Sequence, residues 1–353
     1  MKLFPTYIIS LFFLSTTLGC TKTNCFLINT KTVVFLDAIE GNEYVTKSDF
    51  LKKMSKLDIG LRLKKDLSNR TLDDCQKEYI NYHKKQFRNW SSRDKKSVIK
   101  HLTSAYSKIL ETTPNVLPDT LFFIRTTGEQ EFNSFYTCRN AIVCPSTIRL
   151  SSSYFFFLKY IRDYMEQLFI HEIMHIYSTN HPIKRENLYN ALGFKKIQCL
   201  NLSHELRDNK LMNPDDKKEF YKISLKEIAT GEERDYCMLL LSKYPKWEGY
   251  IDFPARINVL LVYLEIKLHE IEFNGNCWES SCDSCRHPIL KCSNEFENFY
   301  WGADLVEGTI SPEEIVVIMF VELINSKSND KTLINRSEEY LAILNNIERI
   351  LKK

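Results

Sequence analysis

Residues 168–182 read LFIHEIMHIYSTNHP and hold His171, His175 and His181, three of the chain's eight histidines. The residues before them, from SSSYFFFLKY to IRDYMEQ, contain no Gly or Pro and are apolar on most positions. That pattern predicts one long buried helix, opened by the serines at 151–153 and carrying its histidines near the C-terminal end. His171 and His175 stand four apart, so a helix projects both from one face, one turn from the other. Both imidazoles can reach one ion, and Glu172 stays near enough to hold a water in the ion's open position. Zinc suits two imidazoles, one further ligand and a water, with Glu172 as the base that takes the water's proton. The bland alternative is a helix end whose histidines are satisfied by hydrogen bonds.

Around this helix the sequence predicts an α+β chain, mostly helical, with a small mixed sheet beside the histidine-bearing helix. TVVFLDAI, TLFFIRTTG (120–128) and NAIVCPSTIRL (140–150) are rich in β-branched and aromatic residues and read as strands, the last as an edge strand suited to pair with an extended peptide. KSDFLKKMSKLDIGLRLKKDL and DKKSVIKHLTSAYSKILETT read as helices before Pro114 and Pro118 break the chain. Residues 183–250 read as helical pieces and polar loops, and ARINVLLVYLEIKLHEIEF after Pro254 as a helix. SPEEIVVIMFVELI and SEEYLAILNNIERILKK read as two last helices, each opened by a Ser, with a Glu three positions on in the first. The expected organisation is a signal peptide at 1–20, a mostly helical region at 21–112, and a main domain at 113–353 with a Cys-rich loop at 277–292.

The 353 residues carry 48 basic and 45 acidic side chains, interspersed, for a net charge of +3, so no basic stripe points to nucleic acid. MKLFPTYIISLFFLSTTLGC has the layout of a secretory signal, with an apolar run too short to span a membrane. Secretion without a transmembrane span is expected, with lipid attachment at Cys20 as the alternative. Ten further cysteines are compatible with five disulfides, Cys138 and Cys144 among the candidate pairs, and Cys277, Cys282, Cys285 and Cys292 could instead hold a structural zinc. Sequons at Asn69, Asn89, Asn201 and Asn335 allow N-glycosylation. Nothing in the sequence indicates an oligomeric state.

The HEIMH motif on a long helix after two strands resembles the zincin metallopeptidases, over residues 120–325. The resemblance implies a zinc-dependent peptidase acting on protein or peptide substrates, with His171 and His175 as zinc ligands and Glu172 as catalytic base. It offers two third ligands. His181 has the ten-residue offset of the metzincins, but Ser178 stands where they have the turn Gly; Met212 in KLMNP would be the matching Met-turn residue. SPEEIVVIMFVEL resembles the third-ligand helix of gluzincins of the lethal-factor-like kind, which makes Glu314 the ligand and Glu313 its exposed neighbour. Glu314 is preferred, with His181 the alternative. Those relatives have an acidic residue or Asn one turn further on, where this chain has Ile318 and Met319. HIYSTNHPIKRENLYNALGF and LMNPDD look like parts of uncharacterised secreted bacterial zincin-like proteins. Tyr177 and Tyr300 are candidate oxyanion stabilisers. The competing reading is a catalytically inactive zincin-like module for protein binding or adhesion, which the missing acidic residue favours and the retained Glu172 opposes.

Overall fold

The computed structural model describes residues 24–146, 158–216, 219–249, 263–280, 286–288, 295–297, 299, 311–328 and 336–353. The expected signal peptide with Cys20, the serine cap at 151–153, Tyr300, Asn335 and Cys282, Cys285 and Cys292 lie outside these residues. The chain is mixed α+β with two sheets.

The first sheet gathers β1 (Cys25–Ile28), β2 (Lys31–Phe35), β3 (Phe87–Arg88), β4 (Thr120–Thr126), β5 (Tyr136–Cys138) and β6 (Ala141–Pro145). β1 and β2 form a hairpin, β2 lies parallel to β4, β4 parallel to β6, and β5 closes antiparallel on β6. The alternation along β4 divides its side chains between two cores. Leu121 and Phe123 enter the main core, whereas Ile124 and Phe122 join the cluster with Val45 of α1 (Ala38–Thr46). The expected division at residue 112 is not a packing boundary, because β2 on one side of it pairs with β4 on the other.

On the N-terminal side, Ser48 opens a short 3-10 turn at Asp49–Lys52 and Ser55 caps α2 (Lys56–Leu63), splitting the helix expected there. α3 (Leu72–Lys84) and α4 (Ser92–Thr112) follow, the latter capped by Ser91. α4 packs against α5 (Leu158–Asn180), the histidine-bearing helix. Burial on almost every side explains the composition of α5: Met165, Phe169, Ile170, Ile173, Met174 and Ile176 are all fully buried. Each such side chain contributes about 2 kcal/mol by leaving water, which holds α5 in one place against the first sheet.

α6 (Pro182–Ala191) starts directly after His181, with Pro182 in the first turn where its missing N–H costs nothing. Beyond it the structure departs from the sequence reading. A second, larger sheet contains β7 (Phe194–Ile197), β8 (Leu200–Asn201), β9 (Phe220–Lys226), β10 (Glu233–Ser242), β11 (Leu264–Phe273), β12 (Trp278–Ser280) and β13 (Arg286–Pro288), with α7 (His204–Asn209) between β8 and β9. The expectation of one small sheet is therefore corrected, as is the helix expected across 264–273. LEIKLHEIEF contains good helix formers, but Leu264 to Glu270 pair residue by residue with Ser242 to Tyr236 of β10, and this long-range ladder overrides local preference.

The chain ends in α8 (Pro312–Ser328) and α9 (Glu338–Lys352), as expected for those two segments. α8 packs against α5 and brings its first turn to the histidines.

The cysteine expectations are also revised. Cys199 and Cys277 form a disulfide, tying β8 to β12 across the second sheet, and Cys25 is disulfide-bonded as well. Cys75, Cys138, Cys144 and Cys237 are buried and outside any disulfide, which rules out five bridges. Cys138 and Cys144 cannot meet because Cys138 is opposite Ala141, placing Cys144 about 10 Å further along the ladder. Nor is β6, the described part of the expected edge strand, an edge, since it is flanked by β4 and β5. Asn69, Asn89 and Asn201 are exposed.

Candidate metal centre

α5 delivers His171 and His175 from one face, and the first turn of α8 delivers Glu314 to the same point. The two Nε2 atoms are 3.1 Å apart. Glu314 sets Oε2 3.3 Å from His171 Nε2 and Oε1 3.5 Å from His175 Nε2. Ligand atoms placed about 2.05 Å from a tetrahedral zinc stand about 3.3 Å from one another, and each histidine nitrogen stands at about that spacing from the other and from one of the two Glu314 oxygens, with one ligand atom of each residue within 4.8 Å of the rest.

The orientation of His175 is fixed from outside the group. Its Nδ1 lies 2.9 Å from Glu313 Oε1, and Ser178 Oγ donates to Glu313 Oε2 over 2.6 Å. Tyr189 of α6 donates to that same oxygen. A carboxylate beside Nδ1 selects the tautomer protonated there and turns the Nε2 lone pair toward Glu314. Two electron-rich atoms facing each other in a buried place call for a positive charge between them.

The electrostatics agree. Burial works against charge on His175, yet Glu314, Asp215 and the bond from Glu313 hold its pKa well above the ordinary imidazole value. Burial likewise opposes ionisation of Glu314, but His175 and His171 overcome it and hold that carboxyl well below the usual range. The pocket thus favours a cation.

Glu172 is 2% exposed, and its Oε2 has no hydrogen-bond partner among the described residues. Burial first, then the neighbouring Asp215, push its pKa well above the carboxylate range, with His175 pulling the other way. An orphaned acidic oxygen beside three ligand-type donors fits an ion with a water to receive.

Several expectations change here. Glu313, expected to be exposed, is 1% exposed and is the carboxylate that orients His175. This acidic partner of His175 comes from the residue before Glu314, not from Ile318 or Met319 one turn after it. Ser178 is not a turn residue: α5 continues to Asn180, and the Ser178 hydroxyl serves Glu313. His181 is outside the group, exposed at the helix end, with Nδ1 2.9 Å from Tyr177 O and its ring stacked on Tyr177. Tyr177 lies about 200° around the helix from His175, away from the convergence point. Met212 packs with the cluster of Leu51 and Tyr79, not under the histidines.

The loop around Met212 nevertheless reaches the site. Asn213 Nδ2 donates to Glu314 Oε1 over 2.8 Å, and Asp215 Oδ1 accepts from Thr137 N and Oγ1 at 2.7 and 2.5 Å. Arg62 of α2 holds this loop through the Met212 carbonyl at 2.9 Å while pairing with Glu131 and Asp58. Asn213, Asp215 and Tyr189 carry no spacing signal relative to HEIMH. The stretches that contain them, HIYSTNHPIKRENLYNALGF and LMNPDD, stood out only by resemblance, without a role for these residues.

No protein-family model, curated protein or solved structure matches this chain.

Proposed function

We propose that this chain is a secreted zinc-dependent metallopeptidase on a zincin-like scaffold, with His171, His175 and Glu314 as zinc ligands and Glu172 as catalytic base. The observation that carries the reading is the convergence of His171, His175 and Glu314 on one point, with donor spacings of 3.1 to 3.5 Å, while the buried Glu172 Oε2 stands without a partner. A zinc held by His171, His175 and Glu314 would supply Lewis acidity toward a water and a substrate carbonyl. Glu172 accepts the attacking water's proton at Oε2 and returns it to the amine nitrogen as the peptide C–N bond breaks, which balances the hydrolysis. Glu313 keeps the His175 ring aimed, and Asn213 keeps the Glu314 carboxylate aimed.

Export is supported by the N-terminal sequence and by the Cys199–Cys277 bridge, which suits an oxidising compartment. Among the described residues no helix is long and apolar enough to cross a membrane. The reading as an inactive binding module rested on the lost acidic residue near Ile318, whereas His175 has its acidic partner in Glu313.

The test of the ligand set is metal content after exposure to stoichiometric zinc and desalting. Wild type should keep about one zinc per chain, and His175→Ala and Glu314→Ala should lose it while His181→Ala retains it. Zinc loss in His181→Ala with retention in Glu314→Ala would overturn the assignment of the third ligand.

A further inference from the structure

β5 is the edge strand of the first sheet, and it turns into β6 through Arg139 and Asn140, with Cys138 opposite Ala141. A two-residue hairpin closes on a hydrogen-bonded pair, so Cys138 and Tyr136 direct their backbone groups at β6, and Thr137 between them directs its N–H and C=O outward. Thr137 is therefore the residue of β5 at which another chain could add a strand. The histidine-bearing α5 packs against β5, which puts this edge beside the metal centre.

That position is covered from within the chain. Asp215 Oδ1 accepts from Thr137 N at 2.7 Å and from Thr137 Oγ1 at 2.5 Å, in the way a carbonyl oxygen of an added strand would accept from the N–H. The same loop reaches Glu314 through Asn213 and is folded on itself, with Asp215 N and Asp216 N both donating back to Asn213. Asp215 also stands close enough to Glu172 to be, after burial, the largest influence on that carboxyl. It bridges the space from the edge strand to the proposed base.

The loop does not rest on packed core on every side. A cavity of about 530 Å³ is lined by Thr137, Cys138 and Arg139 of the β5 hairpin and by Met212, Asn213 and Pro214 of the loop. A space of that size is a ligand-sized site rather than a packing defect. Facing it, the loop is held by polar tethers instead of buried apolar contacts, the mark of a segment that opens at low cost. Its root stays fixed, since Leu211 N bonds to Leu240 O and Arg62 holds the Met212 carbonyl. The movable part begins at Asn213.

We propose that the Asn213–Asp216 loop is an autoinhibitory latch: Asp215 occupies the strand-pairing position of Thr137 in place of substrate, and an extended peptide gains that edge only when Asp215 lets go. The proposal rests on the peptidase reading for one point, the choice of a peptide as the guest. A guest that needs the open latch binds more weakly in proportion to the fraction of molecules already open, so weakening the latch tightens binding.

The experiment uses the full chain in excess chelator, so that neither zinc nor cleavage enters and a failure of the peptidase reading leaves the result intact. The probe is fluorescein-labelled oxidised insulin B chain, an unfolded polypeptide, titrated by anisotropy, with amide deuterium exchange followed in parallel. Asp215→Ala should bind the probe about tenfold more tightly than wild type, whereas Asp215→Asn, whose Oδ1 can still accept from Thr137, should stay within about threefold of wild type. In Asp215→Ala the Thr137 amide should exchange fast in the free protein and slowly with the probe bound. Asn213→Ala releases the other tether and should also tighten binding; it decides the matter by the same criterion if Asp215→Ala fails to fold. Probe binding no tighter in an Asp215→Ala chain whose β4 and β6 amides exchange as in wild type, no binding by any variant, or binding that leaves Thr137 exchange unchanged would overturn the proposal.

Discussion

Replacing Glu313 by Gln keeps the shape of the side chain and removes the charge that orients His175. In the wild type its two oxygens face three donors: His175 Nδ1 at 2.9 Å, Ser178 Oγ at 2.6 Å and the Tyr189 hydroxyl. Gln offers one acceptor oxygen and an NH2 group, so at least one buried donor faces another donor. The resulting stability loss is about 1–3 kcal/mol. Loss of a carboxylate partner from a metal-bound imidazole costs about 10- to 100-fold in metal affinity, equivalent to about 1.4–2.7 kcal/mol. The assay is competition for zinc against a chromophoric chelator, run beside a urea melt. Glu186→Gln is the control, since among the described residues Glu186 pairs with exposed Lys196 alone and such pairs are worth little. Zinc affinity within twofold of wild type in folded Glu313→Gln would refute the claim that Glu313 orients a ligand.

Two further outcomes follow from the buried charges. His83 is neutral in the fold, its pKa lowered to about 4 by burial and by Arg62, so the unfolded chain binds the extra proton between about 6.5 and about 4. Stability from this residue is present above about pH 6.5 and falls on acidification through that window; urea midpoints at pH 7 and pH 5 should differ less in His83→Phe than in wild type. Arg62→Met leaves Glu131 and Asp58 buried without their cation and should cost about 3–5 kcal/mol in a urea melt, most of it recovered when Glu131→Gln and Asp58→Asn are added. An Arg62→Met loss under about 1 kcal/mol would contradict the account of that network.

What could be read from the chain alone depended on range. The helices of α4, α5, α8 and α9 and the strands β4 and β6 announce themselves through local periodicity and caps, and they set the frame around the histidines. The alternation of Tyr221, Ile223 and Leu225 in β9 was also present, but β11 is a strand only because β10 lies beside it, a fact stored far away in the sequence. His171, Glu172 and His175 are legible because four-residue spacing maps onto one helix face. Glu313 was misread because two adjacent carboxylates in a helix turn look alike until the packing of α8 on α5 decides which one is buried against His175. Asn213 and Asp215 come from a loop whose position depends on Arg62, some 150 residues earlier.

The central claim is catalysis by Glu172 at the His171, His175 and Glu314 centre. The most direct measurement is cleavage of a peptide library by zinc-loaded wild type and by zinc-loaded Glu172→Gln, with products read by mass spectrometry and zinc content measured on the same samples. The account predicts cleavage by wild type and a loss of about 100-fold or more in Glu172→Gln at unchanged zinc content. Equal cleavage by the two proteins, or no cleavage by wild type holding one zinc per chain, would contradict it.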